Sequence, residues 1–100
     1  MIIREKTSLD SLGSFVKVVV DIKRKILSAG CELHIDCAEE LIKDGSLYVN
    51  LWGANIYTKN KKIDFISLIN IRPAANNRSM DIEDVNIRKK VEDNIKKLVF

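Results

Sequence analysis

Two apolar runs separated by a short lysine-rich stretch constrain this chain more than anything else in it. They read "LYVNLWGANIYT" and "IDFISLINIRP", with "KNKK" (Lys59–Lys62) between them. Both carry enough β-branched and aromatic residues to be strands, and the polar stretch between them reads as a turn. A hairpin of that length commits a chain of 100 residues to a central sheet. With Tyr57 opposite Ile63, one face pairs Asn55 with Phe65, Gly53 with Ser67, Leu51 with Ile69 and Val49 with Ile71. The other face pairs Ala54 with Ile66, Trp52 with Leu68, Asn50 with Asn70 and Tyr48 with Arg72. That second face is apolar near the turn and polar at its far end.

The remaining segments are expected to flank this sheet. "MII" reads as a short edge strand. Residues 14–29 place Phe15, Val18, Val19, Ile22, Ile26 and Ala29 at helical spacing, with Gly30 as a stop. The "VVV" run pulls toward strand, but length and charge pattern favour a helix. "CELHIDC" alternates and reads as a half-buried strand. Residues 38–42 fit a helical turn or an extended segment equally, and Asp44-Gly45 marks a tight turn. Asp84 is a good N-cap for a second helix over 85–99, with Ile87, Val91, Ile95 and Leu98 as its buried stripe. The expectation is one compact α+β domain over residues 1–100. It has a small antiparallel sheet of three to four strands and two main helices, about 14–29 and 85–99.

Several chemistries are excluded by residue type and spacing. His34 is the only histidine, and neither CxxC nor HxxxH spacing occurs, so no metal site is expected. The glycines are isolated, so no phosphate-cradling loop or cofactor site is expected. On an extended strand Cys31 and Cys37 would lie roughly 20 Å apart at about 3.3 Å per residue. A disulfide needs Cα atoms within about 7 Å. The cysteines are therefore expected to be small unpaired core residues. No apolar run approaches a membrane span, and the N-terminal stretch turns charged too early for a signal peptide. The expected location is the cytoplasm.

What is left is polar chemistry near "NIRPAANNRSM", Asn70 to Met80, which lacks any acid and holds the only proline. Two readings stand side by side. The stretch is either a loop tied by its own side chains or part of a site for a small anionic ligand such as a phosphate ester. The candidate site comprises His34, Asp36, Asn50, Asn70, Arg72, Asn77 and Arg78, with the arginines as anion clamps and His34 as acid/base. On a strand, His34 and Asp36 would share a face. A separate candidate is an interface built from Trp52, Ala54, Ile66 and Leu68, for which a symmetric homodimer is the expected partner. The net charge of +3 is modest and spread among fourteen acids. It does not call for nucleic acid, and leaves only weak RNA contact through Lys59, Lys61, Lys62 and Tyr57.

The blocks "VVDIKRKILSAGCELHID", "DGS", "LWGANIY" and "INIRPAANNRSMDIED" resemble a family of small prokaryotic proteins known as a domain of unknown function. The resemblance runs from about residue 14 to the C-terminus. It is carried by Leu51, Trp52, Gly53, Asn55 and Tyr57, by Ile69 to Pro73, by Asn77 to Ser79, and by Glu32, Leu33, His34 and Asp36. The chain departs from the family pattern in its shorter N-terminal segment and at Cys31 and Cys37. The resemblance implies no activity. It implies that these polar positions belong to shared motifs.

Overall fold

The computed structural model describes residues 1–100. One antiparallel sheet contains β1 (Ile2–Ile3), β2 (Phe15–Asp21), β3 (Ile26–Ala29), β4 (Leu51–Tyr57) and β5 (Lys62–Asp64), in the spatial order β1-β3-β2-β4-β5. The helices are α1 (His34–Lys43) and α2 (Val85–Val99). The class is α+β as expected, with five strands rather than three to four. No helix is long and apolar enough to cross a membrane.

Residues 14–29 form a hairpin, not a helix. In β2, Val16, Val18 and Val20 point to one face, and Val19 and Asp21 to the other. Both faces are covered, so the strand reads as a nearly continuous apolar run and its period of two is hidden. The turn is built by Asp21, whose Oδ1 accepts from Lys23 N and Arg24 N, both at 2.9 Å. Lys25 closes it in the left-handed region at φ 59°. An aspartate that hydrogen-bonds backbone ahead of it favours a turn over continued helix.

Two apolar layers follow from the strand alternation. On one face Val18, Val20 and Leu27 pack under Val91, Ile95 and Leu98 of α2, and Trp52, Ala54 and Ile56 extend the same cluster together with Phe65 and Ile82. Asp84 starts that helix as expected, accepting from Asn86 N at 2.8 Å and Ile87 N at 3.1 Å. On the other face Val19, Ile26, Leu51 and Ile69 pack under Cys37, Ala38 and Leu41 of α1. The expected strand over "CELHIDC" is therefore the lead-in and first turn of α1. Its helical stripe of Cys37, Ala38 and Leu41 emerges only when "AEELI" is joined to it, and this also makes residues 38–42 helical.

The hairpin of β4 and β5 exists, shifted by one residue from the expected register. Tyr57 pairs with Lys62, Ile56 with Ile63 and Asn55 with Asp64. Pairing then stops, and the chain turns into a 3-10 segment, Leu68–Asn70. Other expected neighbours across the two runs nevertheless meet: Leu51 with Ile69 in one core cluster, and Tyr48 with Arg72.

Ile95 is fully buried, whereas Val85 is 75% exposed on the same helix. Ile95→Ala is expected to cost about 2–5 kcal/mol, and Val85→Ala less than about 0.5 kcal/mol, read as the difference in urea unfolding free energy.

Candidate functional site

The loop from Asn70 to Met80 is held by its own amides. Asn70 is fully buried. Its Oδ1 accepts from Gly53 N at 2.8 Å, and its Nδ2 donates to Gly53 O at 3.0 Å. One side chain thus supplies β4 with the donor and acceptor that a neighbouring strand would have offered. The same Nδ2 reaches Phe65 O at 3.0 Å and Met80 O at 3.1 Å. Asn77 repeats the device: its Nδ2 points at the carbonyls of Asn70, Ser79 and Asp81, and its Oδ1 accepts from Glu83 N. The Glu83 carboxylate accepts from Ser79 Oγ, Ser79 N and Arg78 N at 2.8–2.9 Å. Ser79 above all holds that carboxyl below the usual range.

Arg72 is spent within the fold. Its guanidinium lies 4.4 Å from the Tyr48 ring centroid and 4.3 Å from that of Trp52. It donates to Ile69 O at 3.0 Å, to Tyr48 O at 3.1 Å and to Leu51 O. Carbonyl oxygens and two aromatic faces, rather than a carboxylate, balance its charge. The Arg78 side chain is exposed and has neither a hydrogen bond nor an ion pair. With one guanidinium sandwiched and the other in solvent, the two do not form a preformed anion clamp.

His34 stands at the first position of α1, away from the geometry expected of a strand. Residues two apart on a helix do not face each other, so His34 and Asp36 form no pair, and Asp36 is exposed. The His34 ring instead packs on β4. Its Nε2 hydrogen-bonds Ala54 O at 2.9 Å, which makes Nε2–H the donor in the neutral ring. A Cβ on Gly53 would lie 2.6 Å from Ser67 Oγ and 3.2 Å from His34 Cδ2. Only glycine lets both residues close over the strand here. Burial disfavours the imidazolium and lowers the pKa of His34 below its ordinary value, against the pull of the Ala54 carbonyl. Lys17 adds to the lowering, while Asn55 and Asp64 oppose it. Asn50 gives its backbone carbonyl to Ile22 N and lies apart in the lead into β4.

Beside His34 opens a groove of about 380 Å³, which the sequence did not reveal. Phe15, Leu33, Ile35, Ile66, Leu68 and Met80 surround it and are each 39–72% exposed. Its polar lining is Lys17, His34, Asn55 and Ser67, with no acid among them. Asn55 is fixed at its floor, with Nδ2 donating to Asp64 Oδ1 at 2.7 Å and Ile66 O at 2.9 Å. Its Oδ1 is buried with no donor in hydrogen-bond geometry, and the nearest donor-bearing side chain is the His34 ring that Asn55 helps to hold. A buried acceptor without a donor is uncommon and calls for a reason. The signal that could have found this groove lies in α1. Leu33 and Ile35 fall outside the buried stripe of Cys37, Ala38 and Leu41, and are apolar without a core to face.

The four residues expected to form an interface divide. Trp52 and Ala54 are buried at 2% and 0% exposure, because the cluster that holds Phe65, Ile82 and the α2 stripe, with Arg72 over the Trp52 ring, closes the face that was expected to be open. Ile66 and Leu68 are exposed on the groove rim. Lys59, Lys61 and Lys62 are exposed around the β4–β5 turn, and Tyr57 packs edge-on against Phe15 with centroids 5.2 Å apart. No group of three His, Cys, Asp or Glu side chains is placed to hold a metal ion.

Fold and site together define a three-layered α+β protein, helix on sheet on helix, with an apolar groove at the first turn of α1. The chain belongs to the family described as Protein of unknown function (DUF5674), whose model matches residues 3–98. No curated protein and no solved structure matches it.

Asn70→Ala would leave the Gly53 N–H and several carbonyls buried without partners. It is expected to cost about 3 kcal/mol or more, since each such group is worth about 1–3 kcal/mol. Arg78→Ala is expected to change stability by less than about 0.5 kcal/mol, and urea titration of both variants checks the contrast. His34 supplies a pH signature. Its folded pKa lies below the unfolded value near ~6.5, so the unfolded chain binds the proton more readily and stability rises with pH. The contribution is full above that value and is lost as pH falls through it toward the lower folded pKa. His34→Gln should therefore flatten the slope of stability between about pH 7.5 and 5.5 in paired denaturation curves.

Proposed function

We propose that this protein is a cytoplasmic binding module that self-associates through the apolar face around the groove. The observation that carries the reading is the exposure of Leu33, Leu68 and their apolar neighbours on a chain whose two sheet faces are already covered. A contiguous apolar patch without a core to join marks a contact surface. A second copy is the favoured occupant because knob and hole adjoin. Leu68, 72% exposed, projects from the rim of the groove it helps to line. A two-fold axis near that rim sets each Leu68 over the other copy's groove, the self-complementary arrangement of an isologous dimer. Charge does not oppose it, since Lys17 is the only charged residue lining the groove.

The unpartnered Asn55 Oδ1 favours a second reading of the same groove. A small apolar molecule with one N–H or O–H donor would satisfy that acceptor, and a groove of about 380 Å³ is within the size of small-molecule sites. It would appear as an added mass on the purified protein in native mass spectrometry.

Light scattering on the eluting protein across micromolar concentrations is expected to give the mass of a dimer. Leu68→Asp is expected to give a monomer with an unchanged far-UV spectrum. A monomeric wild type throughout that range, or a dimer that survives Leu68→Asp, would sink the self-association reading.

A further inference from the structure

Cys31 and Cys37 are joined in a disulfide, contrary to expectation. The helix brings their Cα atoms to 5.7 Å, whereas an extended strand would have held them apart. The bond spans a sequence separation of only six. Leu33, His34 and Ile35 lie inside the loop it closes, and all three line the groove. We propose that Cys31–Cys37 is a reversible thiol–disulfide site, acted on by a low-molecular-weight thiol of the glutathione type, and that it orders the first turn of α1. The proposal goes beyond self-association and does not depend on it.

The first turn of α1 has few other ties. Its N-cap is Leu33, and no side chain caps the helix. The first amides of a helix lack partners within the helix, so this end lacks the usual support of a serine, threonine or aspartate. The disulfide, the His34–Ala54 hydrogen bond and the bond that Lys17 Nζ donates to Glu32 O at 2.7 Å are the side-chain links at this end. The cysteines pack in the layer under α1 only. A short loop restrains the unfolded chain least, and the apolar layer under α2 contains neither cysteine.

The two sulfurs are not equivalent. Cys31 is half-buried at the edge of the apolar layer, while Cys37 is 2% exposed within it. A thiolate reductant therefore attacks Cys31 Sγ, and the S–S bond breaks with Cys37 leaving. Cys37 is the fourth residue of α1 and packs in the apolar layer with Val19, Ala38 and Leu41, so it takes up a proton as it leaves and stays there as a thiol. A second thiol then attacks the mixed disulfide on Cys31. The sum is one protein disulfide plus two thiols giving the protein dithiol and one small disulfide, with two electrons passing to the protein. In a reducing compartment, disulfides that occur are typically exchangeable ones of this type.

The test uses the full chain, graded ratios of reduced to oxidised glutathione, acid quenching, alkylation and mass spectrometry, with hydrogen exchange on the two end states. The expected results are a glutathione adduct trapped on Cys31 and complete conversion to the dithiol with an unchanged far-UV spectrum. Amide exchange at residues 36–39, the first hydrogen-bonded amides of α1, should rise by about tenfold or more, with none at Val18–Val20. Cys31→Ser should reproduce the exchange pattern of the reduced wild type. A bond that resists glutathione in the folded protein, an adduct on Cys37, or exchange that rises across the whole sheet would overturn the proposal. So would a Cys31→Ser chain that fails to fold. Each is read on the protein alone, so a negative dimerisation result leaves these outcomes independent.

Discussion

The structure depends on how the edge of β4 is completed. β4 pairs with β2 along its whole length, but with β5 only over Asn55–Tyr57. From Ala54 back to Leu51 its second edge has no strand beside it. Buried backbone groups must find partners, and here side chains supply them: Asn70 takes both polar groups of Gly53, and Arg72 takes Leu51 O. An amide is the one uncharged side chain that can offer a donor and an acceptor side by side, as a peptide does. Around that substitution the loop must come in close, which is why residue 53 has no side chain and why Ser67 can lie against it. The polar motif that looks like a binding loop is the mechanism by which a short sheet ends without a sixth strand.

This also explains what could be read in the sequence. The hairpin, α2 with its Asp84 cap, and the closeness of Asn70 and Arg72 to the start of β4 follow from local patterns that the tertiary structure does not override. The helix expected over 14–29 failed because β2 is covered on both faces, so valines on adjacent positions imitate a helical stripe. The strand expected over 31–37 failed because seven residues of alternation are too few to outweigh the helix that continues beyond them. These two errors displaced the cysteines and His34 together. A strand puts Cys31 and Cys37 far apart and His34 next to Asp36; a helix reverses both relations.

The candidate anion site and the observed groove differ for the same reason. Hydrogen-bonding residue types in "NIRPAANNRSM" were legible, but not which of their bonds are satisfied inside the chain. Arg72 illustrates the limit. Nothing local in "INIRP" says that its guanidinium will lie between Tyr48 and Trp52 and donate to main-chain carbonyls. Once Asn70, Arg72 and Asn77 are accounted for in this way, the polar side chains that line the groove are His34, Lys17, Ser67 and Asn55. Of these only His34 belonged to the expected set.

The groove lies where two differently tied parts of the fold meet. One wall is the sheet and the Asn70-anchored loop, tied by many buried hydrogen bonds. The other is the first turn of a ten-residue helix that buries only Cys37, Ala38 and Leu41. Binding surfaces are drawn from the less stable parts of a fold, because ordering them is what an occupant contributes. Under the proposed self-association, the sheet wall would fix the register of the second copy, and the α1 wall would let affinity change without unfolding the rest. α1 has the features of an adjustable wall: no cap, a shallow apolar stripe, and a covalent tie at the end that borders the groove. The segment that sequence reasoning assigned to the wrong element is therefore the one whose conformation has most to do with what the groove can hold.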